Sequence, residues 1–102
     1  MRIIELDATK WKTVVDFYKA FLVSIGAPDW HGISPDALVD SMIWCGINAV
    51  EPPYTIRISG AAKLPKEVRD EVELAKQVIA DGRVDYQARR GGDVEVAIEI
   101  AP

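Results

Sequence analysis

His31 is the only imidazole in the chain and Cys45 the only thiol, so any His–carboxylate base has to use His31. Asp29 and Asp36 are its near neighbours in sequence. A general base also needs a nucleophile or a water within hydrogen-bond reach, and no motif supplies one. GxSxG, HExxH and GxxxxGK[ST] are all missing; Gly60-Ala61-Ala62-Lys63 lacks both the first glycine and the closing Ser/Thr of a phosphate loop. A metal site from His31, Asp36 and Asp40 is conceivable, but two carboxylates on a helix more often make a solvated or interface face. His31 beside Trp30 reads as a contact or cap residue, and Cys45 as a small buried hydrophobe. The residue types therefore point away from an enzyme, a cofactor or a metal. A small hydrolase using His31 with Asp36 ranks below a protein-binding role.

The elements that must position these residues follow from periodicity. Ile3-Ile4-Glu5-Leu6 reads as a first strand buried on both faces. Asp7 or Thr9 can cap a helix on which Trp11, Val14, Val15, Tyr18, Phe21, Leu22 and Ile25 form one apolar stripe, ended by Gly26 and Pro28. Trp30-His31-Gly32 lies in a loop, and Ser34-Pro35 opens a second helix as N-cap and first helical residue. Leu38, Met42 and Cys45 fall on one side of it, Asp36, Val39, Asp40 and Ile43 on another. Asp36, in the first turn, is favoured by the helix dipole whatever else it does. Asp40 has no such reason and leans towards an interface.

After Glu51-Pro52-Pro53 the run Tyr54–Ile58 alternates as a strand, and a long helix runs from Pro65 to Asp81 with Gly82 ending it. The tail reads as two strands, Val84–Arg89 and Val94–Ile100, joined by a Gly91-Gly92 hairpin. The order implies a single α/β domain over residues 1–102. It is a layered sandwich of three to four helices on a small, mainly parallel sheet, with an antiparallel C-terminal hairpin strand.

With 12 Lys+Arg, 16 Asp+Glu and a net charge of −4, the chain lacks the basic footprint of nucleic-acid binding. It carries no apolar run long enough for a membrane span and no signal-peptide pattern, and its lone cysteine cannot form an internal disulfide; the cytoplasm is the expected compartment. The imbalance is localised. From Ala20 to Ile56 there is no Lys or Arg, only Asp29, Asp36, Asp40 and Glu51. That segment reads as a negative patch meeting a positive partner.

The same segment carries a motif. Trp30-His31-Gly32-Ile33-Ser34-Pro35-Asp36-Ala37-Leu38-Val39-Asp40-Ser41 resembles the barstar signature: two aromatics, Gly, a variable residue, Asn-Leu-Asp-Ala-Leu-Trp-Asp. The likeness runs from Ile3 to about Gly82 and resumes in the last strand. It implies a barstar-like fold and a small bacterial immunity protein that blocks the basic active site of a ribonuclease-type toxin, its carboxylates standing in for RNA phosphate. On that likeness Asp40 is the central acid and Asp36 the acid one turn earlier. Trp30 and His31 match two tyrosines, Gly32 the loop glycine, and Asp81 a helix-end glutamate. Val39 replaces a tryptophan, and the late helix-2 aromatic is Trp44 if the register slips by one, Cys45 otherwise. The resemblance thus offers Trp30, His31, Gly32, Asp36, Val39, Asp40, Trp44 and Asp81 as partner-binding residues of a monomer. The stretch Arg83–Asp93 is longer than the pattern, with Arg89 and Arg90 adding positive charge. A protein-binding adaptor or homodimer on the same fold is the alternative.

Overall fold

The structure is a computed structural model and describes residues 2–101. Its order is β1 (Arg2–Asp7), α1 (Val14–Ser24), α2 (Pro35–Val39) continuing into a π-helical turn (Asp40–Cys45), β2 (Tyr54–Ser59), α3 (Lys66–Arg90) and β3 (Val96–Ile100). The sheet is three-stranded in the order β1-β2-β3, and both pairings are parallel, with Ile4 beside Ile56 and Ile56 beside Ile98. The fold is α/β, as the periodicity implied.

One face of the sheet is core. Tyr54, Ile56, Ile58, Val96 and Ile98 are buried against Phe17, Tyr18 and Phe21 of α1, Leu38 of α2 and Val68, Val72, Ala75 and Ile79 of α3. The opposite face is wetter. There Arg57 lies 3.8 Å from Glu5 and 3.2 Å from Glu99, one charge ladder across all three strands. β1 is consequently an edge strand with one solvated face, not a strand buried on both. Ile3 is 54% exposed, because sequential strand order leaves β1 outermost and the helices cover a single face.

The cap of α1 also moves. Asp7 and Thr9 form their own turn, the Thr9 N–H donating to Asp7 Oδ1, and the helix starts later. Thr13 is its N-cap: its hydroxyl accepts from the Asp16 N–H, and the Asp16 carboxylate accepts from the Lys12 and Thr13 N–H groups. Trp11 is buried but precedes the helix. Gly26 ends it as expected, in the left-handed region at φ 65°.

The largest correction concerns the tail. Val84–Arg89 is helix, not strand. α3 continues through Gly82 to Arg90, and Gly91 (φ 75°) caps it in place of a hairpin. Asp85 and Arg89 pair one turn apart at 2.9 Å, and the half-buried Tyr86 continues the apolar side of the helix two turns beyond Ile79, the last fully buried position. With no strand before it to fold back on, β3 joins the sheet parallel to β2. The 25 residues of α3 span about 37 Å, close to the molecule's longest dimension of 39 Å. Arg83 and Asp93 form a two-point ion pair that ties the helix to the approach to β3.

Candidate protein-binding face

Ser34 launches α2: its hydroxyl accepts from the Ala37 N–H at 3.1 Å, with Pro35 in the first turn. The preceding loop approaches the helix closely, since a Cβ on Gly32 would sit 3.3 Å from the Ala37 Cβ. Glycine at that position is a matter of space. From Asp40 the helix widens to the i→i+5 pattern and ends at Gly46, φ 60°. The widening resets the phase. Met42 stays buried and Cys45 turns to the surface, contrary to the expectation that it is a buried hydrophobe.

His31 is also placed differently from a surface contact. It is only 8% exposed. Nδ1 lies 2.7 Å from the Gly32 carbonyl and Nε2 2.7 Å from Ser41 Oγ. A carbonyl only accepts, so Nδ1 carries the proton, and Nε2 accepts from the Ser41 hydroxyl. Ser41 Oγ in turn accepts from Asn48 Nδ2 at 3.1 Å. This buried relay joins the loop before α2 to the segment after it.

Above the relay is a shallow groove of about 280 Å³, lined by Trp30, His31, Gly32, Asp40, Ser41 and Cys45 among others. Trp30 stands on its rim, 75% exposed. Asp36 is exposed one turn before Asp40 but does not line the groove. Val39 lies outside it: a Cβ on Gly82 would come within 3.2 Å of Val39 Cγ1, so this valine packs between α2 and α3. Trp44 points the same way, its ring 5.1 Å from that of Tyr86 and 5.9 Å from the Arg90 guanidinium. Asp81 is exposed on α3, accepting from the Gln77 amide at 2.9 Å. The structure thus gathers Trp30, His31, Gly32 and Asp40, keeps Asp36 beside them, and turns Val39 and Trp44 towards α3.

Sequence reading missed Ser41 and Asn48, and offered Cys45 only as the alternative to Trp44 at the late helix-2 position; of those two it is Cys45 that lines the groove. Ser41 left one signal, a hydroxyl among the apolar positions of α2. Asn48 and the π-turn left none.

The electrostatics of this region are one-sided. Among the described residues Asp29, Asp36, Asp40 and Glu51 have no ion-pair partner, whereas Arg57, Lys66, Arg83 and Arg89 are all bridged to acids outside the segment. Four carboxylates with no internal cation leave a field directed outwards. Among the described residues no cluster of His, Cys, Asp and Glu could hold a metal ion, and no helix is long and apolar enough to cross a membrane.

Residues 1–99 match the family model of barstar, the barnase inhibitor. The chain belongs to the barstar family. The matched range takes in Arg83–Asp93, the stretch that looked like an extension, and most of β3. The family's description is that of an inhibitor. No curated relative matches the chain.

Proposed function

We propose that this barstar-family chain is a cytoplasmic inhibitor of a basic ribonuclease-type protein, an immunity partner that occupies the enzyme's phosphate-binding site. The observation that carries the reading is the groove itself: Asp40, free of any internal cation among the described residues, stands beside the exposed indole of Trp30. A ribonuclease cleft gathers Arg, Lys and His to hold phosphate, and carboxylates on a rigid helix satisfy the same donors.

In this reading Asp40 is the central contact and Asp36 extends the charge by one turn. Trp30 supplies aromatic area, Gly32 lets the loop lie close to the helix, and Asp81 adds charge from α3. His31 acts from beneath as a positioning residue. Val39 and Trp44 brace α2 against α3 and act through it. Because those two side chains are engaged internally, the contact face is narrower than the family pattern. The same observation favours a second reading, an adaptor for a different basic protein.

The test is titration with a small basic microbial ribonuclease, followed by calorimetry and RNA cleavage. A one-to-one inhibited complex is expected, weakened by more than about a hundredfold in Asp40→Ala, since the enzyme's cations are then buried without a partner. Binding that Asp40→Ala leaves unchanged overturns the site. Failure to bind any such enzyme overturns the ribonuclease reading and leaves the adaptor.

A further inference from the structure

Ser41 Oγ has a third neighbour besides the two in the relay. It lies 3.4 Å from the Leu38 carbonyl, three residues back, as well as 2.7 Å from His31 Nε2 and 3.1 Å from Asn48 Nδ2. A hydroxyl has one proton to donate and two lone pairs with which to accept. While His31 is neutral the proton goes to Nε2, the shorter contact, and Asn48 fills one lone pair. The Leu38 carbonyl then receives nothing from this hydroxyl.

The same atoms fit a second arrangement. A proton added at Nε2 makes that nitrogen a donor. The Ser41 hydroxyl then turns its own proton to Leu38 O and accepts from His31 and Asn48 together, which uses its full capacity. Nδ1–H goes on donating to the Gly32 carbonyl. Both ring nitrogens and the hydroxyl are paired in either state, and the two states differ by the rotation of one hydroxyl hydrogen.

Charge is what separates them. The titratable groups around His31 are Asp29 in its own loop, Asp36 on α2, and Asp40 and the Cys45 thiol on the π-turn. Across Ser41, Glu51 and Tyr54 border a neighbouring cavity, and burial pushes the Tyr54 phenol up to about 12, so it stays uncharged. No residue of α1, α3 or the sheet lines the groove. On the other side of α2, Arg90 of α3 faces Trp44 and Arg83 is bridged to Asp93. Residues 20–56 contain no Lys or Arg, so an imidazolium is the one cation that this segment can form. Histidine is also the side chain whose charge ordinarily changes between about pH 5 and 8.

We propose that His31 is a proton switch beneath the docking groove: a proton taken up at Nε2 redirects the Ser41 hydroxyl to Leu38 O and sets a positive charge among the groove's carboxylates, loosening the face's hold on a basic partner as pH falls. The effect on a partner rests on the proposed function; the switch itself does not. One proton held by the free protein and expelled on binding weakens affinity by at most about tenfold per pH unit.

The ring is read first in the unaltered protein with no partner present. Long-range ¹H–¹⁵N NMR from about pH 8 to 5 is expected to show the Nδ1–H form at the alkaline end and proton uptake at Nε2 as pH falls. The Ser41 and Leu38 amides and the Trp30 indole should follow the same curve. An Nε2–H tautomer at the alkaline end, a ring that stays neutral throughout, or Ser41 and Leu38 signals that ignore the titration overturn the switch. The Kd for a small basic ribonuclease is then measured over the same range for wild type and His31→Gln, the enzyme's own titration being common to both. Wild type should lose about tenfold or more relative to the variant at the acid end, and parallel profiles overturn the coupling. A ribonuclease that binds neither protein overturns the proposed function alone, and the ring titration, which needs no variant to fold, still decides the switch.

Discussion

Ser41 Oγ donates to His31 and accepts from Asn48, so the loop that presents Trp30 and the segment that follows α2 hang on one hydroxyl. Ser41→Ala would leave two buried nitrogens without a partner. We expect it to cost about 1–3 kcal/mol, measured by urea unfolding; Asp40→Ala, at an exposed site, should unfold at nearly the wild-type midpoint. What could be read of the site at this scale follows the range of each interaction. Ser34 and Pro35 were legible because a helix cap acts over three residues. His31 was not, because its partner Ser41 lies ten residues on, beyond any periodic pattern, and an imidazole looks the same in sequence whether it faces solvent or a buried hydroxyl.

At the scale of elements, the α2–α3 contact holds the face in place. Gly82 sits inside α3 where a Cβ would meet Ile43 Cδ1 at 2.6 Å and Val39 Cγ1 at 3.2 Å, so the helices meet at a point without a side chain. Gly82→Leu should cost about 1–3 kcal/mol by overpacking, visible as a lower urea midpoint, although leucine is the better helix former. A more stable Gly82→Leu would show that the contact is loose. That glycine also explains a misreading. A glycine near the end of an apolar stripe ordinarily marks a C-cap, and only the packing of α2 reveals this one as interior. The stretch after it, with Val84 and Tyr86 alternating against Asp85, Gln87 and Arg89, fits a strand and a helix equally well. The Asp85–Arg89 pair and the ring of Trp44 decide for helix. The π-turn was invisible for a related reason, since one extra residue per turn changes no residue type, yet it decides that Cys45 and not Trp44 borders the groove.

For the whole molecule, charge gives the sharpest forecast. Asp7, Asp16 and Asp93 stand at three separate junctions, and each carboxyl is held below its ordinary range. The Thr9 N–H does this for Asp7, the Lys12 and Thr13 N–H groups for Asp16, and the Arg83 guanidinium for Asp93. Their contribution is complete above the unfolded carboxyl pKa of about 3.9 and is lost as pH falls through the lower folded values. Thermal melts should therefore shift steadily downwards once pH drops below about 4. A melting temperature unchanged through that range would mean these hydrogen bonds do not persist in solution. The family was legible from one segment because the motif and the Lys/Arg-free stretch coincide there, and the α/β class from alternating strand and helix periods. Strand direction at the C-terminus was not, since it depended on where α3 stops.

The length of α3 has a consequence for motion. Its buried positions end at Ile79, while the last turns are held by the Arg83–Asp93 pair and the Trp44–Tyr86 contact. Local opening there needs far less free energy than opening of residues 68–79, so backbone amides from Arg83 onwards exchange with solvent ahead of the rest of the helix. Trp44 belongs to the π-turn that carries Asp40 and Cys45. Fraying at the far end of α3 thus releases one wall of the turn behind the groove, and the docking face inherits the breathing of a helix end that it does not itself contain.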